Sequence, residues 1–335
     1  MKSQIFVLFG VTAALASHAQ SNVSVFGSID LNVTYAKAGN RHVTGMDQGG
    51  YLLPSRIGFR GTEDLGGGLA AGFWLEAAVL PDTGATQSAF FGRRSTVSLT
   101  SRQLGEIRLG RDYTPAFWNV SQFSPFGTVG VGGSSNLIDG WPLGSHGAKT
   151  LSRASNSIGY FLPKNELGIY GQLSYAAGEN VDGAKYLGGR IGYVKGAFNI
   201  AAAYGQTKMA AGDYKTATLG GSYDFGVVRA YANYFQQKLE GYKQNYYLIG
   251  AAIPVSGAGT IKTSVAQAKV SGTSDKARQI AVGYDYKLSK RTTLYTAYSH
   301  ISNKGNSAYV TADVSPEGSP GQNSQGVQFG INHSF

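Results

Sequence analysis

The chain has 335 residues, with 29 Lys and Arg against 19 Asp and Glu and a formal net charge of +10. Only 14% of its residues are charged, against about 25% in a typical soluble domain, and 48 glycines and 21 tyrosines enrich it. The absence of cysteine excludes disulfides, thiolate metal sites and cysteine nucleophiles. A hydrophobic share of 42% argues against disorder.

Residues 1–19 have the pattern of a secretory signal peptide. Lys2 supplies the positive charge, residues 5–16 form a short apolar run, and small residues precede Ala19. We predict cleavage after Ala19, which leaves 20–335 as the exported domain; an uncleaved anchor or a buried helix is the alternative. No later run is apolar and long enough for a transmembrane helix. An exported chain without a clustered basic stripe does not favour a nucleic-acid partner.

From residue 20 onward, the apolar residues recur with a period of two. In the first segment, Val23, Val25 and Ile29 share one parity, whereas Ser24, Ser28 and Asp30 share the other. This alternation predicts β-strands with one apolar and one polar face. The same pattern recurs in segments around Phe59, Phe73, Ile107, Ile158, Leu173, Ile200, Val282 and Phe329.

The connections between these segments alternate between short turns and longer polar loops. We count about sixteen strands of 9–11 residues, which fits an antiparallel transmembrane β-barrel. A soluble β-sandwich or propeller also alternates, but the sequence offers no helices to cover a second sheet. The chain ends at Phe335 on the outward parity, which resembles the carboxy-terminal signal of outer-membrane barrels.

Several segments resemble the trimeric Gram-negative general porins, most closely those of the neisserial and β-proteobacterial type. The similarity runs from the signal to Phe335. Its most specific parts are residues 55–69, Ser-Arg-Ile-Gly-Phe-Arg-Gly-Thr-Glu-Asp-Leu-Gly-Gly-Gly-Leu, and residues 288–295, Leu-Ser-Lys-Arg-Thr-Thr-Leu-Tyr. Residues 25–30, 105–111 and 153–160 support it.

This resemblance implies an all-β, 16-stranded antiparallel barrel in the outer membrane of a Gram-negative bacterium. It also implies a homotrimer and a long third loop that folds into the lumen. The expected partners are outer-membrane lipid or lipopolysaccharide and small hydrophilic solutes, with no cofactor and no metal.

The longest connection, residues 113–150, is the candidate constriction loop, because long loops without strand character are typically functional. It contains Trp118, Phe126, Asp139 and Lys149. Related porins often carry Pro-Glu-Phe-Gly here, whereas this chain has Ser-Pro-Phe-Gly at 124–127. This difference removes a negative charge and weakens the expectation of cation preference. A surface loop that never enters the lumen is the alternative.

The resemblance places a ladder of arginines on the wall opposite that loop, at Arg56, Arg94 and Arg153. The alternation independently predicts that all three side chains face the lumen. Arg60 has the same parity as Arg56 and lies further along the strand into the barrel, whereas Arg93 is predicted to face outward. A ring of like charges favours ions of the opposite sign, so we expect anion preference. The alternative is that carboxylates such as Asp30, Glu76, Glu106 or Asp112 pair with these arginines and cancel much of the field.

The sequence therefore predicts a water-filled channel for passive diffusion rather than an enzyme. No histidine lies in a recognisable catalytic motif, and no nucleophile elbow is present. A porin specific for small organic anions is the main alternative. An outer-membrane barrel enzyme and an adhesin are more distant ones.

Overall fold

The computed structural model describes residues 22–47, 49–139 and 147–335. The predicted signal peptide lies outside these residues, as does part of the predicted constriction loop. The described residues form eighteen strands and two short helices. The strands are β1 Asn22–Ala38, β2 Arg41–Asp47, β3 Arg56–Gly66, β4 Leu69–Leu80, β5 Ala85–Thr86, β6 Arg94–Ser101, β7 Gly105–Tyr113, β8 Arg153–Phe161, β9 Ile169–Ala176, β10 Lys185–Lys195, β11 Phe198–Met209, β12 Gly212–Asp224, β13 Arg229–Leu239, β14 Tyr242–Pro254, β15 Gly259–Val270, β16 Lys276–Lys287, β17 Thr292–Lys304 and β18 Ser324–Ser334. The helices are α1 Pro115–Gln122 and α2 Ser135–Ile138.

These strands close into an antiparallel barrel with sixteen strand positions. β2 and β3 pair with the two halves of β1 and together fill one position, while the two-residue β5 pairs only with the end of β4. β18 pairs with β1 and closes the ring, so that no edge remains open to the membrane. The prediction of a 16-stranded all-β barrel is confirmed.

The alternating apolar and polar residues of the sequence form the outer and inner faces of the barrel wall. On β1, Val25 and Val33 are exposed on the outer face, whereas Asp30, Asn32 and Thr34 are buried on the inner face. Exposed apolar side chains continue around the outer face at Val97, Leu109, Ile158, Leu173, Leu187, Leu219, Ile249, Val265, Ile280, Tyr298 and Phe329. Apolar groups outside and polar groups inside suit a barrel with lipid around it and water within it.

The two ends of the barrel differ in their connections. One end, here called the turn end, carries Phe335 and short connections such as 67–68, 102–104 and 288–291. The opposite end, here called the loop end, carries the long connections 81–93, 114–152 and 305–323. Outer-membrane barrels have short periplasmic turns and longer extracellular loops, so the loop end is the extracellular end.

Hydrophobic clusters form where connecting segments pack on the inward-facing parity of the wall. Val120, Leu137 and Ile138 of the long connection pack with Phe235 and Leu248 of the wall. A second cluster joins residues of three connections, Tyr51, Phe126, Val131 and Ala312, to Ala281, Tyr295 and Ala297. These clusters fix the connecting segments against β13–β17. No helix within the described part of the chain is long and apolar enough to cross a membrane.

Candidate functional site

Glu76, on the inner face of β4, is shared by two arginines. Its Oε1 lies 2.9 Å from Nη1 of Arg56 and 2.7 Å from Nε of Arg93, and its Oε2 accepts a hydrogen bond of 3.1 Å from Trp74. Glu76 and Arg93 are only 3% and 6% exposed. One buried carboxylate therefore compensates two guanidinium groups, and the three side chains together keep one positive charge.

The prediction that Arg93 faces outward is wrong, and the backbone explains why. Arg94 pairs with Glu76 at the start of β6, yet the backbone N–H of Arg93 also donates to the Glu76 carbonyl at 3.2 Å. Two residues then oppose one, as in a β-bulge, which interrupts the alternation of side chains. Arg93 and Arg94 consequently both reach inner-face carboxylates, and Arg93 is the member of the ladder that the period of two could not identify.

Trp74 lies between Arg94 and Arg60. The guanidinium carbon of Arg94 lies 4.4 Å from the Trp74 ring centroid, and that of Arg60 lies 5.2 Å from it and 5.1 Å from Phe26. Cation–π contacts hold both arginines against the wall without neutralising them. Arg94 also lies 3.7 Å from Asp112, whereas Arg60 has no carboxylate in ion-pair range among the described residues.

Arg153 reaches the same cluster by a different route. Its Nη2 donates to the Tyr113 hydroxyl at 2.9 Å, its Nε donates to the Arg93 carbonyl at 2.9 Å, and its guanidinium lies 4.4 Å from the Tyr113 ring. The register of β7 and β8 shifts between Gly110 and Asp112, where Asn156 has a φ of 53°. Because of this shift, the alternation that begins at Ile158 does not extend to Arg153. The orientation of the Arg153 side chain is therefore known from its contacts and not from its parity.

Two further arginines lie beside the predicted set. Arg108 pairs with Glu106 at 2.9 Å and with Asp112, and Arg111 donates to the Gly92 carbonyl at 2.7 Å and to Ser155 at 2.7 Å. Arg108 was identifiable because it alternates with Ile107 and Leu109. Seven arginines and five carboxylates therefore lie on or beside β3–β8. The arginines are Arg56, Arg60, Arg93, Arg94, Arg108, Arg111 and Arg153; Glu76, Glu106 and Asp112 pair with some of them, and Glu63 and Asp64 lie near the turn end of β3. Carboxylate pairing occurs here but leaves an excess of positive charge.

Asp30, also considered as a partner for the arginines, instead anchors the connection before β3. It accepts hydrogen bonds from the backbone N–H groups of Leu52 and Leu53 and from the hydroxyl of Tyr295. Among the described residues, Asp30 forms no ion pair with an arginine.

Helix α1 begins the long connection and packs against the inward-facing side chains of the wall. The Asn119 side chain donates to the Ala201 carbonyl at 2.7 Å and accepts from Nε of Arg190 at 2.6 Å. Pro115 at the start of α1 needs no hydrogen-bonded N–H there. On the other side of α1, Phe117 stacks on Tyr113 at 5.2 Å and Trp118 meets the Tyr113 ring edge-on at 5.1 Å.

Glutamine side chains of the wall hold the rest of this connection. Gln279 donates to the Val131 carbonyl at 2.8 Å and Gln328 accepts from the Val131 N–H at 2.8 Å. Gln237 and Gln244 each donate at 2.9 Å to the last carbonyls of α2. Phe126 is buried, with its ring centroid 6.0 Å from that of Tyr51. The glutamine bonds satisfy backbone N–H and carbonyl groups of the connection and tie it to the wall.

Asp139 and Lys149, on either side of residues 140–146, line one open cavity of about 260 Å³ together with Arg111 and Arg153. Part of the Asp139 surface is open to water, but protein surrounds the group widely. This desolvation raises the pKa of the Asp139 carboxyl to about 6; a hydrogen bond with Ser135 opposes the rise and Asp313 adds to it. The structure thus brings two predicted loop residues close to the predicted Arg153.

The arrangement is suited to electrostatics rather than to covalent chemistry. Fixed guanidinium groups with aromatic and carbonyl partners present positive charge along one wall and cannot deprotonate. Within the described ranges, no group of three or more His, Asp or Glu side chains is placed to hold a metal ion.

Comparisons with known proteins agree with this geometry. The family described as Gram-negative porin matches residues 7–306. The chain is 36% identical over 360 residues to outer membrane porin protein 32 of Delftia acidovorans, with both proteins covered in full. It is 28% identical to an outer membrane porin protein of Bordetella pertussis, covering 86% of this chain and 91% of that one. A solved structure, the anion-selective porin from Comamonas acidovorans, aligns with a TM-score of 0.82 and 35% identity over 94% of this chain and all of that one.

Proposed function

We propose that this protein forms a channel that prefers small anions. The chain belongs to the Gram-negative porin family and forms a passive diffusion channel in the outer membrane. The observation that carries the proposal is the excess of arginine over carboxylate on the wall formed by β3–β8. Arg60, Arg111 and Arg153 have neutral partners only among the described residues. Similarity to an anion-selective porin supports the same conclusion.

In the proposed mechanism, the channel needs no chemical step. An anion enters from bulk water and exchanges part of its hydration for donors on the arginine wall. Because the guanidinium groups are held by Glu76, Trp74 and Tyr113, they do not collapse onto the passing ion. The same positive field repels cations. A narrow channel with walls of low dielectric constant strengthens this field.

The connection 113–150 supplies the opposite side of the proposed constriction. Hydrogen bonds hold this connection against the wall and support its proposed position. Their donors are the side chains of Asn119, Gln237, Gln244 and Gln279. The lack of an acid at 124–127 leaves this side of the opening without a strong negative charge, which also favours anions. Phe126 and Trp118 act as packing residues that hold the loop, and Asp139 and Lys149 modulate the charge beside Arg153.

The test is the reversal potential in a planar bilayer under a tenfold KCl gradient. We expect a chloride-selective potential for the wild type and a smaller one for Arg56→Ala, Arg94→Ala and Arg153→Ala. Arg102→Ala, in an exposed connection at the turn end, is the matched control and should behave as the wild type. A potassium-selective potential in the wild type would contradict anion preference while leaving the porin assignment intact.

A channel specific for small organic anions is the second candidate. The cavity lined by Arg111, Lys149 and Arg153 lies beside the rings of Tyr113 and Phe117, which combines positive charge with an aromatic surface. Titrating benzoate and acetate at constant chloride distinguishes the two functions. Saturable block of the chloride current by one of them indicates a binding site, whereas proportional currents indicate a general pore.

Other properties belong to the same proposal. We infer a homotrimer because the chain belongs to the Gram-negative porin family, whose resemblance implies one. The protein acts as a channel and not as an enzyme, and its signal is cleaved after Ala19. Native gel migration tests the trimer, and amino-terminal sequencing of the mature protein should begin at Gln20.

A further inference from the structure

Arg190, on the inner face of β10, is a lumenal arginine outside the wall formed by β3–β8. It shares its parity with the buried residues Tyr186, Gly188 and Gly192, and it is itself partly exposed. β9, β10 and β11 contain no aspartate or glutamate. The inner face of these three strands therefore carries one positive charge and no negative charge.

Neutral groups hold the guanidinium of Arg190 in place. Its Nε donates to the Asn119 side chain at 2.6 Å, and its Nη2 donates to the Gln122 side chain and, at 3.4 Å, to the Tyr170 hydroxyl. The guanidinium carbon lies 4.9 Å from the centroid of the Tyr170 ring. Among the described residues, Arg190 has no carboxylate in ion-pair range, and its Nη1 is open to water and has no hydrogen-bond partner. A positive charge with two N–H donors is therefore available to a solute.

Helix α1 has other anchors besides Arg190. The Asn119 side chain also donates to the Ala201 carbonyl at 2.7 Å, and Asn233 donates to two carbonyls of the helix at 3.4 Å. Apolar side chains of α1 are buried in a hydrophobic cluster. A charged side chain at position 190 is therefore not required to fix the helix. The C-terminus of α1, at Gln122, contributes at most about half a negative charge, which does not cancel the guanidinium.

The side chain of Arg190 points toward the turn end of the barrel. Its backbone pairs with Gln172 of β9, whereas its guanidinium contacts Tyr170, which lies closer to the turn end of that strand. Tyr170 in turn donates at 2.7 Å to Asn199, near the turn end of β11. An anion that has passed the proposed constriction therefore meets Arg190 on its way to the periplasm.

The strand register separates Arg190 from the arginines on β3–β8. Through Gln172 of β9, Arg190 lies in register with Phe161 of β8. On β8, Arg153 lies much closer to the loop end, about 25 Å away along the backbone, and the backbone of Arg108 on β7 lies at least about 14 Å away across three strand spacings. An anion therefore leaves the wall before it binds at Arg190. Several weak sites favour conduction, because a single deep site retains the ion.

We propose that Arg190 forms a second anion-binding site, on the periplasmic side of the constriction, for small oxyanions. The N–H groups of Nη1 bind the oxyanion, while Asn119, Gln122 and Tyr170 hold the guanidinium so that it does not follow the passing ion. The ligand class follows from the donor, because the directed N–H groups of a guanidinium match the oxygen atoms of carboxylate, sulfate or phosphate. This inference rests on the proposed anion preference and adds to it a residue that the arginine wall does not contain.

The experiment measures block of the chloride current by sulfate in a planar bilayer at constant KCl. Protein is added to one compartment, so that the channels insert in one direction, and sulfate is titrated on each side in turn. We expect Arg190→Gln to raise the half-blocking concentration from the turn-end side about tenfold, because hydrogen bonds to charged groups are the stronger ones. Arg190→Lys keeps the charge and should raise it by about threefold at most. Arg229→Gln is the matched control at the turn end, where Arg229 lies 2.7 Å from Asp224, and should equal the wild type.

Gln122→Glu tests the site without removing the arginine. The side chain keeps its size and its contact with Nη2 of Arg190, but its carboxylate neutralises the guanidinium and competes with sulfate. Because Gln122 is exposed, this variant should fold even if Arg190→Gln does not. It should weaken block from the turn-end side as Arg190→Gln does, and it should add little in the Arg190→Gln background, because both changes act on the same charge.

Three outcomes would overturn the proposal. They are wild-type block in Arg190→Gln and Gln122→Glu, an equal loss in Arg190→Lys and Arg190→Gln, and equal weakening from both sides of the membrane. The second outcome would reduce Arg190 to a positioning residue for α1. Failure of the anion preference itself is distinguishable, because it appears as a potassium-selective reversal potential in the wild type.

Discussion

At the scale of single residues, Glu76 joins Arg56 and Arg93 in one buried cluster. Removing one partner of a buried ion pair typically destabilises a protein by about 3–5 kcal/mol, because the other charge stays buried without compensation. Here one carboxylate serves two arginines, so its loss also makes the wall more positive. Stability and selectivity are therefore coupled at this position.

We predict that Glu76→Gln lowers the free energy of unfolding by about 3 kcal/mol and raises the chloride preference. Urea unfolding followed by tryptophan fluorescence measures the first effect, and reversal potential measures the second. Glu63→Gln, an exposed glutamate near the turn end, should change neither quantity. A stable Glu76→Gln variant with unchanged selectivity would show that Glu76 does not control the cluster.

We predict that Asp139 makes the channel sensitive to pH. Desolvation by the surrounding protein raises the pKa of its carboxyl to about 6, so the group should be largely charged at pH 7.5 and largely neutral at pH 5. Protonation removes a negative charge from the cavity that contains Arg111, Lys149 and Arg153. We predict that chloride preference increases as the pH falls through about 6. The permeability ratio from pH 7.5 to pH 5 measures this change.

Asp139→Asn is the control for this prediction. It should show the high chloride preference of the acidic wild type at every pH, with a flat profile. Desolvation also raises the pKa of the Asp313 carboxyl, so Asp313→Asn is measured beside it. A pH dependence that persists in Asp139→Asn would assign the effect to another group.

At the scale of elements, two irregular positions in otherwise regular strands orient the arginines. Arg93 and Arg94 oppose a single residue of β4, and β8 has an additional residue opposite Arg111. The second irregularity places Asn156 in the left-handed region with a φ of 53°. Such bulges redirect side chains at the cost of a local departure from the ladder, which is why period-two reasoning fails beside the site.

We predict that Asn156→Val destabilises the barrel by roughly 1–2 kcal/mol, because a β-branched residue disfavours the left-handed conformation. It should also weaken chloride preference by displacing Arg153. Asn156→Gly should preserve both properties, since glycine adopts positive φ freely. Urea unfolding and reversal potential measure the two effects; equal behaviour of the valine and glycine variants would refute the assigned role of the bulge.

At the scale of the whole molecule, the pairing of the first and last strands completes the barrel. The backbone groups of Gly27 and Phe335 exchange hydrogen bonds of 3.0 and 3.1 Å. The Phe335 ring covers Gly27 so closely that an added Cβ would lie 2.3 Å from it. The last residue therefore both continues the pairing of β1 with β18 and packs on the seam.

We predict that Phe335→Ala lowers the temperature at which the refolded barrel converts to the unfolded form on gels, because the seam loses its covering ring. Phe329→Ala, which removes a more exposed phenylalanine from β18, is the matched control and should have a smaller effect. Equal shifts for the two variants would indicate a general loss of lipid-facing surface rather than a specific role at the seam.

The sequence alone determined the architecture, because lipid outside and water inside impose a period of two on every strand. Arg56 and Arg60 follow from that pattern, since they lie in a regular strand opposite Ile57 and Phe59. The tertiary structure decided the details of the site. Arg93 and Arg153 depend on bulges that shift the register, and the loop contacts of Gln279 and Gln328 join residues far apart in the chain.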